Sequence, residues 1–511
     1  MLSPDYRITT PLQSLSAHSE RRHLFLTGRE WRIGLLVSAA VGVCAAWVSL
    51  FISVWIGVTV FFVTLTAYHM RYASRYIVPF PHIAILISAL QYVLAAWVGF
   101  YYPPENSAYD IGAALPLYLS YGGPVIVAIC VGWSLSLIRL KPTPQAAFPT
   151  SAKLLSEMDI LLAVGMVTFF VGRHVEIPSL AFVLVLIGNL RYVGVYGRMI
   201  VRGPGWSWRL AIVLGSEVMF AAENAMFHPL LLWTCWTVAF WMYCFKPSQR
   251  AILCVLLAGA LFLPAFQEAK WRLRAGADDD LLGASQTEAT AKNRLSKTVT
   301  FVSYLASSLK HAATFDLSDD FIADTAVRYN QGWIVNRIMF FVPDVESYAR
   351  GDTLKTAAVA AVFPRAIAEE KLKSGGQEYM ARYAGMELNE NTAMNLGYAG
   401  EMYANFGLVG GIIGCGIYAL VFGLLFRWFC QRAFLHPLWW SLVPFIFFAA
   451  LKAEDGISDT LNWTVKSCIV AAGVYFLFPG FRAALSGQLG GPLPRLNRPS
   501  VPLKQHPSEA R

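Results

Sequence analysis

Carboxylates, histidines and basic side chains in this 511-residue chain gather at the ends of long apolar runs. Glu401 and Asn405 lie four residues apart, so a helix puts them on one face with Tyr403 between them. An ionisable group at the edge of an apolar run favours a cavity or a partner over lipid. The competing reading of Glu401 is a solvated carboxylate in the first turn of a helix. Lys452, Glu454, Asp455 and Asp459 form a second cluster, with Lys466 further on, and Arg173, His174 and Glu176 form a third. Carboxylates and imidazoles are the groups of proton transfer, and arginine forks hold anions. His174 and His228 are possible bases, although a lone histidine near an interface more often has a structural part. Glu217 and Glu223 interrupt one apolar stretch. Six residues set them about 240° apart on a helix, so each needs its own partner on a neighbouring helix or a cavity to line.

More such residues lie along 319–405. Residues 319–342 have helical periodicity, with Val327, Ile334, Ile338 and Phe341 forming one apolar stripe. Asp319 or Asp320 can cap its start, and Pro343 stops it. As one helix it carries Arg328 and places Asn330 and Arg337, seven apart, on a common face. The amphipathic pattern suits a helix lying on the membrane surface with its apolar face down, while the stripe by itself reads more simply as an amphipathic helix packed against protein. Tyr348, Gly351 and Asp352 follow in a turn-like stretch, then Arg365, and then Lys371 within a charged run.

The elements that must position these groups are transmembrane helices. The chain is 56% hydrophobic and 14% charged, against about 25% charged residues in soluble domains. A span needs about 20 apolar residues. Twelve segments qualify, at about 32–50, 52–69, 83–101, 115–138, 158–172, 178–197, 210–227, 229–245, 250–267, 406–427, 437–453 and 463–481. The first two are divided near Ser49 to Ser53, because the uncharged stretch is too long for one helix. The fold class is therefore all-α: a polytopic helical bundle with one large extracytoplasmic loop that contains amphipathic helices. Residues 1–31 form a cytoplasmic segment without a cleavable signal, 32–267 the first nine helices, 268–405 the loop, 406–481 the last three helices and 482–511 a Pro-rich cytoplasmic tail.

Orientation follows from lysine and arginine in the short loops. Arg71 with Arg75, Arg139 with Lys141, Arg198 with Arg202, Lys246 with Arg250, and Arg427 with Arg432 alternate with base-poor turns. This places both termini in the cytoplasm and residues 268–405 outside. The net charge of +9 reflects this topology, and no nucleic-acid partner is implied. The eight cysteines lie in or beside apolar runs, without CxxC or zinc spacing, and read as small buried hydrophobes. The acid run 278–280 reads as solvated. No P-loop, GxSxG elbow or HExxH motif is present.

The order of these local signatures resembles the Wzy-type oligosaccharide repeat-unit polymerases, which include bacterial O-antigen and exopolysaccharide polymerases. The matching segments are RYN at 328–330, YARG at 348–351, FPR at 363–365 with Lys371, GEMYANFG at 400–407, and Glu454-Asp455 with Lys466. The resemblance covers about 325–470 and is only topological before that. It implies a glycosyltransferase of the bacterial inner membrane. Its substrates would be undecaprenyl-pyrophosphate-linked oligosaccharides, and its companions a chain-length regulator and a flippase. An acceptor hydroxyl would attack the sugar C1 and the lipid pyrophosphate would leave. Arg328, Arg337 and Arg365 would meet the pyrophosphate, Glu401 would be the base and Glu454 the second candidate. Asn330, Tyr348, Lys371, Tyr403, Asn405 and Lys466 would line the substrate site. With arginines doing the electrostatic work, no metal or other cofactor is required. A ligase that moves finished glycan shares this fold and chemistry. A transporter or flippase of the same lipid-linked sugars would show internal repeats and midplane charges, and the sequence has no such repeat.

Reporter fusions test the topology. Fusions at Gln249 and at the C-terminus should report cytoplasm, and a fusion at Gly283 should report the opposite side. Cytoplasmic activity at Gly283 would remove the outer-face site.

Overall fold

The computed structural model describes residues 29–49, 52–104, 106–138, 140, 151–172, 178–224, 227–248, parts of 250–272, 291–313, 319–362, 376–389 and 392–487. Every regular element among them is helical. Six helices are long and apolar enough to cross a membrane: Val54–Ala73, Phe80–Tyr101, Gly112–Leu137, Ala152–Val171, Leu180–Ile200 and Gly397–Leu435. A seventh span results if the bent pair Ile457–Leu477 and Pro479–Ser486, at 105°, is counted as one. The six coincide with six of the twelve segments expected from hydropathy. Arg29–Val48, Trp206–Asn224 and His228–Phe245 are helices at three further expected positions, and 250–267 is described only in part.

The segment 437–453 departs from expectation. Instead of one spanning helix it is three short turns, Pro437–Leu442, Val443–Ile446 and Ala449–Leu451. Pro437 and Pro444 each stand at the start of a turn, where the missing N–H does no harm. Such irregular backbone survives at membrane depth only when protein surrounds it, and most of this segment is buried. The apolar segment is buried against protein.

Local sequence explains the main packing. The first hairpin turns at Ser53, whose hydroxyl accepts the Trp55 amide at 3.3 Å and caps the second helix. Gly57 faces Ala46 so closely that a Cβ would lie 2.4 Å from the alanine methyl. The helices Gly112–Leu137 and Gly397–Leu435 meet where Gly132 faces the Gly416 carbonyl and Ala419, a close approach that small residues allow. Phe80 lies at the centre of an aromatic cluster with Trp133, Trp236, Phe426 and Phe447. Of the cysteines, Cys130, Cys415 and Cys430 are buried as expected, whereas Cys44 and Cys254 are exposed.

The stretch 319–342 is two helices, Asp319–Tyr329 and Gly332–Phe341. The break ties into a π-turn at Leu90–Leu94 in the third helix: the Gln331 amide donates to the Gln91 carbonyl at 2.9 Å, and the Tyr118 hydroxyl donates to the Tyr92 carbonyl. Asn330 and Arg337 therefore do not share one helical face. The stripe packs against protein and not against lipid: Ile334 and Ile338 are buried, and Ile338 faces Gly400 at the start of the long helix.

Gly407 breaks the long helix at φ 68° and ψ −162°. The carbonyls of Ala404 and Asn405, displaced from the helical ladder, accept the amides of Ala349 and Arg350 at 3.0 and 3.1 Å. A Cβ at Gly407 would also lie 2.9 Å from the Tyr348 hydroxyl. Gly407→Ala should thus cost about 1–3 kcal/mol and lower the thermal midpoint in detergent. Gly473, with nothing within 4 Å of an added Cβ, is the control. An unchanged midpoint for Gly407→Ala would show that the break relaxes without strain.

Candidate functional site

Asn405 joins two distant segments. Its Oδ1 accepts the Gly351 amide at 2.8 Å, and its Nδ2 donates to Thr353 Oγ1 at 2.7 Å and to the Glu401 carbonyl at 2.8 Å. Gly351 takes φ 97° here, a conformation open chiefly to glycine. The turn 348–353 is thereby strapped to the run 401–407. The helix Asp352–Val362 continues from this strap and packs along Ile457–Leu477.

Glu401 is 1% exposed. Its Oε2 accepts the Ile457 amide at 2.8 Å. Ile457 opens a helix whose N-cap residue, Gly456, has no side chain to offer. Glu401 therefore supplies, from another helix, an anion at the positive end of this helix dipole. The reading of Glu401 as a solvated carboxylate is corrected: its partner is a helix terminus.

The adjoining turn gathers the other acidic groups. Glu454 Oε1 lies 3.1 Å from His228 Nδ1, and its Oε2 accepts from Gln331 Nε2 at 3.5 Å. Glu454 and His228 side chains are 28% and 27% exposed, so solvent reaches both. Lys452 Nζ pairs with Asp455 at 3.2 Å, and Asp459 Oδ2 accepts from Asn395 Nδ2 at 3.0 Å. Burial raises the Asp455 carboxyl above the ordinary carboxylate range, against the opposing pull of Lys452. The Tyr92 hydroxyl donates to the Ala453 carbonyl and fixes the turn to the third helix. Among the described residues, no three His, Cys, Asp or Glu side chains are grouped to hold a metal ion.

The structure thus brings together Glu401, Asn405, Tyr403, Tyr348 and Glu454, all singled out in sequence. Tyr403 stacks edge-on against Tyr121 at 5.1 Å. Asn330 is buried near Gly99. Arg328 is exposed on the last turn of its helix. Arg337 spends its guanidinium on carbonyls: Nε donates to Ala384 at 2.8 Å and a terminal nitrogen to Gly385 at 3.5 Å, closing the helix Gln377–Ala384. Lys466 is further from a helix start than expected, because the last long helix begins at Ile457; its ammonium lies 4.8 Å from the Phe182 ring centre. Arg365, Lys371, His174 and residues 278–280 lie outside the described residues. Glu217 pairs with buried Arg191 of a neighbouring helix, the structural reading.

Sequence reasoning did not single out Gln331, Asn395 or Thr353. Each acts through a partner far away in the chain, such as Glu454 for Gln331, and short-range spacing carries no sign of that. Comparison with protein-family models, curated proteins and solved structures found no match.

Glu401→Ala should leave the Ile457 amide without an acceptor and cost about 1–3 kcal/mol, whereas Glu401→Gln retains a carbonyl oxygen for it. Thermal unfolding in detergent should therefore rank wild type and Gln well above Ala. Equal midpoints for all three would mean that Glu401 does not cap this helix.

Proposed function

We propose that this chain is a membrane glycosyltransferase that polymerises oligosaccharide repeat units carried on undecaprenyl pyrophosphate. The carrying observation is the assembly at one end of the apolar helices, where the 348–353 strap, the 401–407 helix break and the 452–459 turn converge. That end holds a partly exposed carboxylate, Glu454, aligned from two sides by His228 and Gln331. The arrangement suits a general base, which must be oriented and yet reachable by an incoming hydroxyl. Glu401, buried with its Oε2 engaged by the Ile457 amide, suits the positioning of this turn.

In the proposed reaction the acceptor hydroxyl oxygen forms a bond to the donor sugar C1. The C1–O bond to pyrophosphate breaks, its electron pair leaves with the lipid pyrophosphate, and Glu454 takes the hydroxyl proton. Exposed Arg328 is the described candidate for the pyrophosphate, and Arg365 remains the candidate that the family resemblance implies. Arg337, held by two carbonyls, shapes the loop. The proposed setting is the outer face of the bacterial inner membrane, with residues 268–405 outside.

The test is polymerisation of purified lipid-linked repeat units without nucleotide. Glu454→Gln should accumulate at wild-type level and lose about 10²- to 10⁴-fold in rate, and Arg328→Lys should lose more than a conserved charge would suggest, because the fork geometry is lost. Near-normal rates for Glu454→Gln would remove it as base. A deletion strain should accumulate a single repeat unit on lipid; long lipid-linked chains would make the protein a ligase.

A further inference from the structure

A second site lies at the other end of the bundle. The helix His228–Phe245 begins beside Glu454 and ends at Lys246. Eighteen residues at 1.5 Å each span about 27 Å, close to the hydrocarbon thickness of a bilayer. At that far end is a cavity of about 630 Å³, between the C-terminus of Val54–Ala73 and the chain after Phe245. Arg71, Arg75, Lys246 and Arg250 line it, with Ser74 and Ser248, and among the described residues no carboxylate takes part in the lining.

The four cations come from two separate chain segments, so folding has brought like charges together. Among the described residues none of them forms an ion pair with a carboxylate. Arg71 is held in place by aromatic faces: its guanidinium carbon lies 4.9 Å from the Tyr72 ring centre and 5.8 Å from that of Tyr68. A terminal nitrogen donates to the Tyr72 hydroxyl at 3.3 Å, while Nε is buried without a hydrogen-bond partner. Arg75 also stacks on Tyr72, at 5.7 Å. Cations fixed by cation–π contacts rather than by carboxylates keep their charge available. Two of the four cations are fixed in this way, and the mutual repulsion of all four is relieved by a bound anion.

We propose that this cavity binds a phosphate-bearing anion at the membrane face opposite the Glu454 site. Tetrahedral phosphate oxygens match arginine forks and hydroxyl donors. Two sources present this chemistry, an anionic lipid headgroup and a soluble phosphate. The site does not depend on the glycosyltransferase reading.

The experiment uses full-length protein in neutral detergent, observed by native mass spectrometry. Added probes are phosphatidylglycerol, inorganic pyrophosphate and, as control, zwitterionic phosphatidylcholine. The variant replaces three exposed cations together, Arg75→Gln, Lys246→Gln and Arg250→Gln; thermal unfolding without probe checks that it remains folded. Wild type should retain phosphatidylglycerol or pyrophosphate over phosphatidylcholine, and the variant should bind it roughly 100-fold more weakly. Retention of phosphatidylglycerol alone identifies a lipid headgroup, and retention of pyrophosphate identifies a soluble phosphate. Equal retention of phosphatidylcholine, or undiminished binding by the folded variant, overturns the proposal.

Discussion

A backbone amide or carbonyl left unpaired in a membrane costs several kcal/mol, so a break in a long apolar helix has to be repaired by another part of the protein. At Gly407 the repair comes from residues 349 and 350, whose amides take the displaced carbonyls. Asn405 completes the joint with both ends of its side chain. The strap then sets the start of Asp352–Val362, which packs along Ile457–Leu477, and Glu401 caps that helix in turn. The polar end of the molecule is thus a chain of dependencies that begins at one glycine.

The electrostatics of the two ends differ in kind. At the Glu454 end, acidic groups are matched with partners: an imidazole, an ammonium, amides and a helix terminus. Each pairing lowers the cost of partial burial and fixes orientation at the same time. At the Lys246 end, Arg71 and Arg75 are held by aromatic rings, and among the described residues no acid joins the lining. One helix, His228–Phe245, connects the two, so the polarity of the bundle is legible along a single element.

Several readings of the sequence depended only on near neighbours and describe the structure well. The division at Ser53, the stop before Pro343 and the positions of the six long apolar helices are local matters of capping, proline chemistry and hydropathy. The pairing of Glu217 with a neighbouring helix follows from the cost of a lone carboxylate in apolar surroundings. The segments around Tyr348 and Glu401 were both singled out, but their union through Asn405 spans more than fifty residues and has no local sign.

What the sequence determined by itself was the material: all-helical, apolar, basic in its short loops and acidic at a few defined edges, because hydropathy and charge act residue by residue. Tertiary structure decided how that material was spent. It turned 437–453 from an apparent span into buried turns, split 319–342 at the contact with Gln91, and assigned Arg337 to two carbonyls. It also made Glu401 a helix cap and Glu454 the partner of a histidine. Apolar sequence reads alike whether lipid or protein covers it, and a charged side chain reads alike whether it meets a ligand or a backbone dipole. Only the neighbours brought in from elsewhere in the chain distinguish these outcomes.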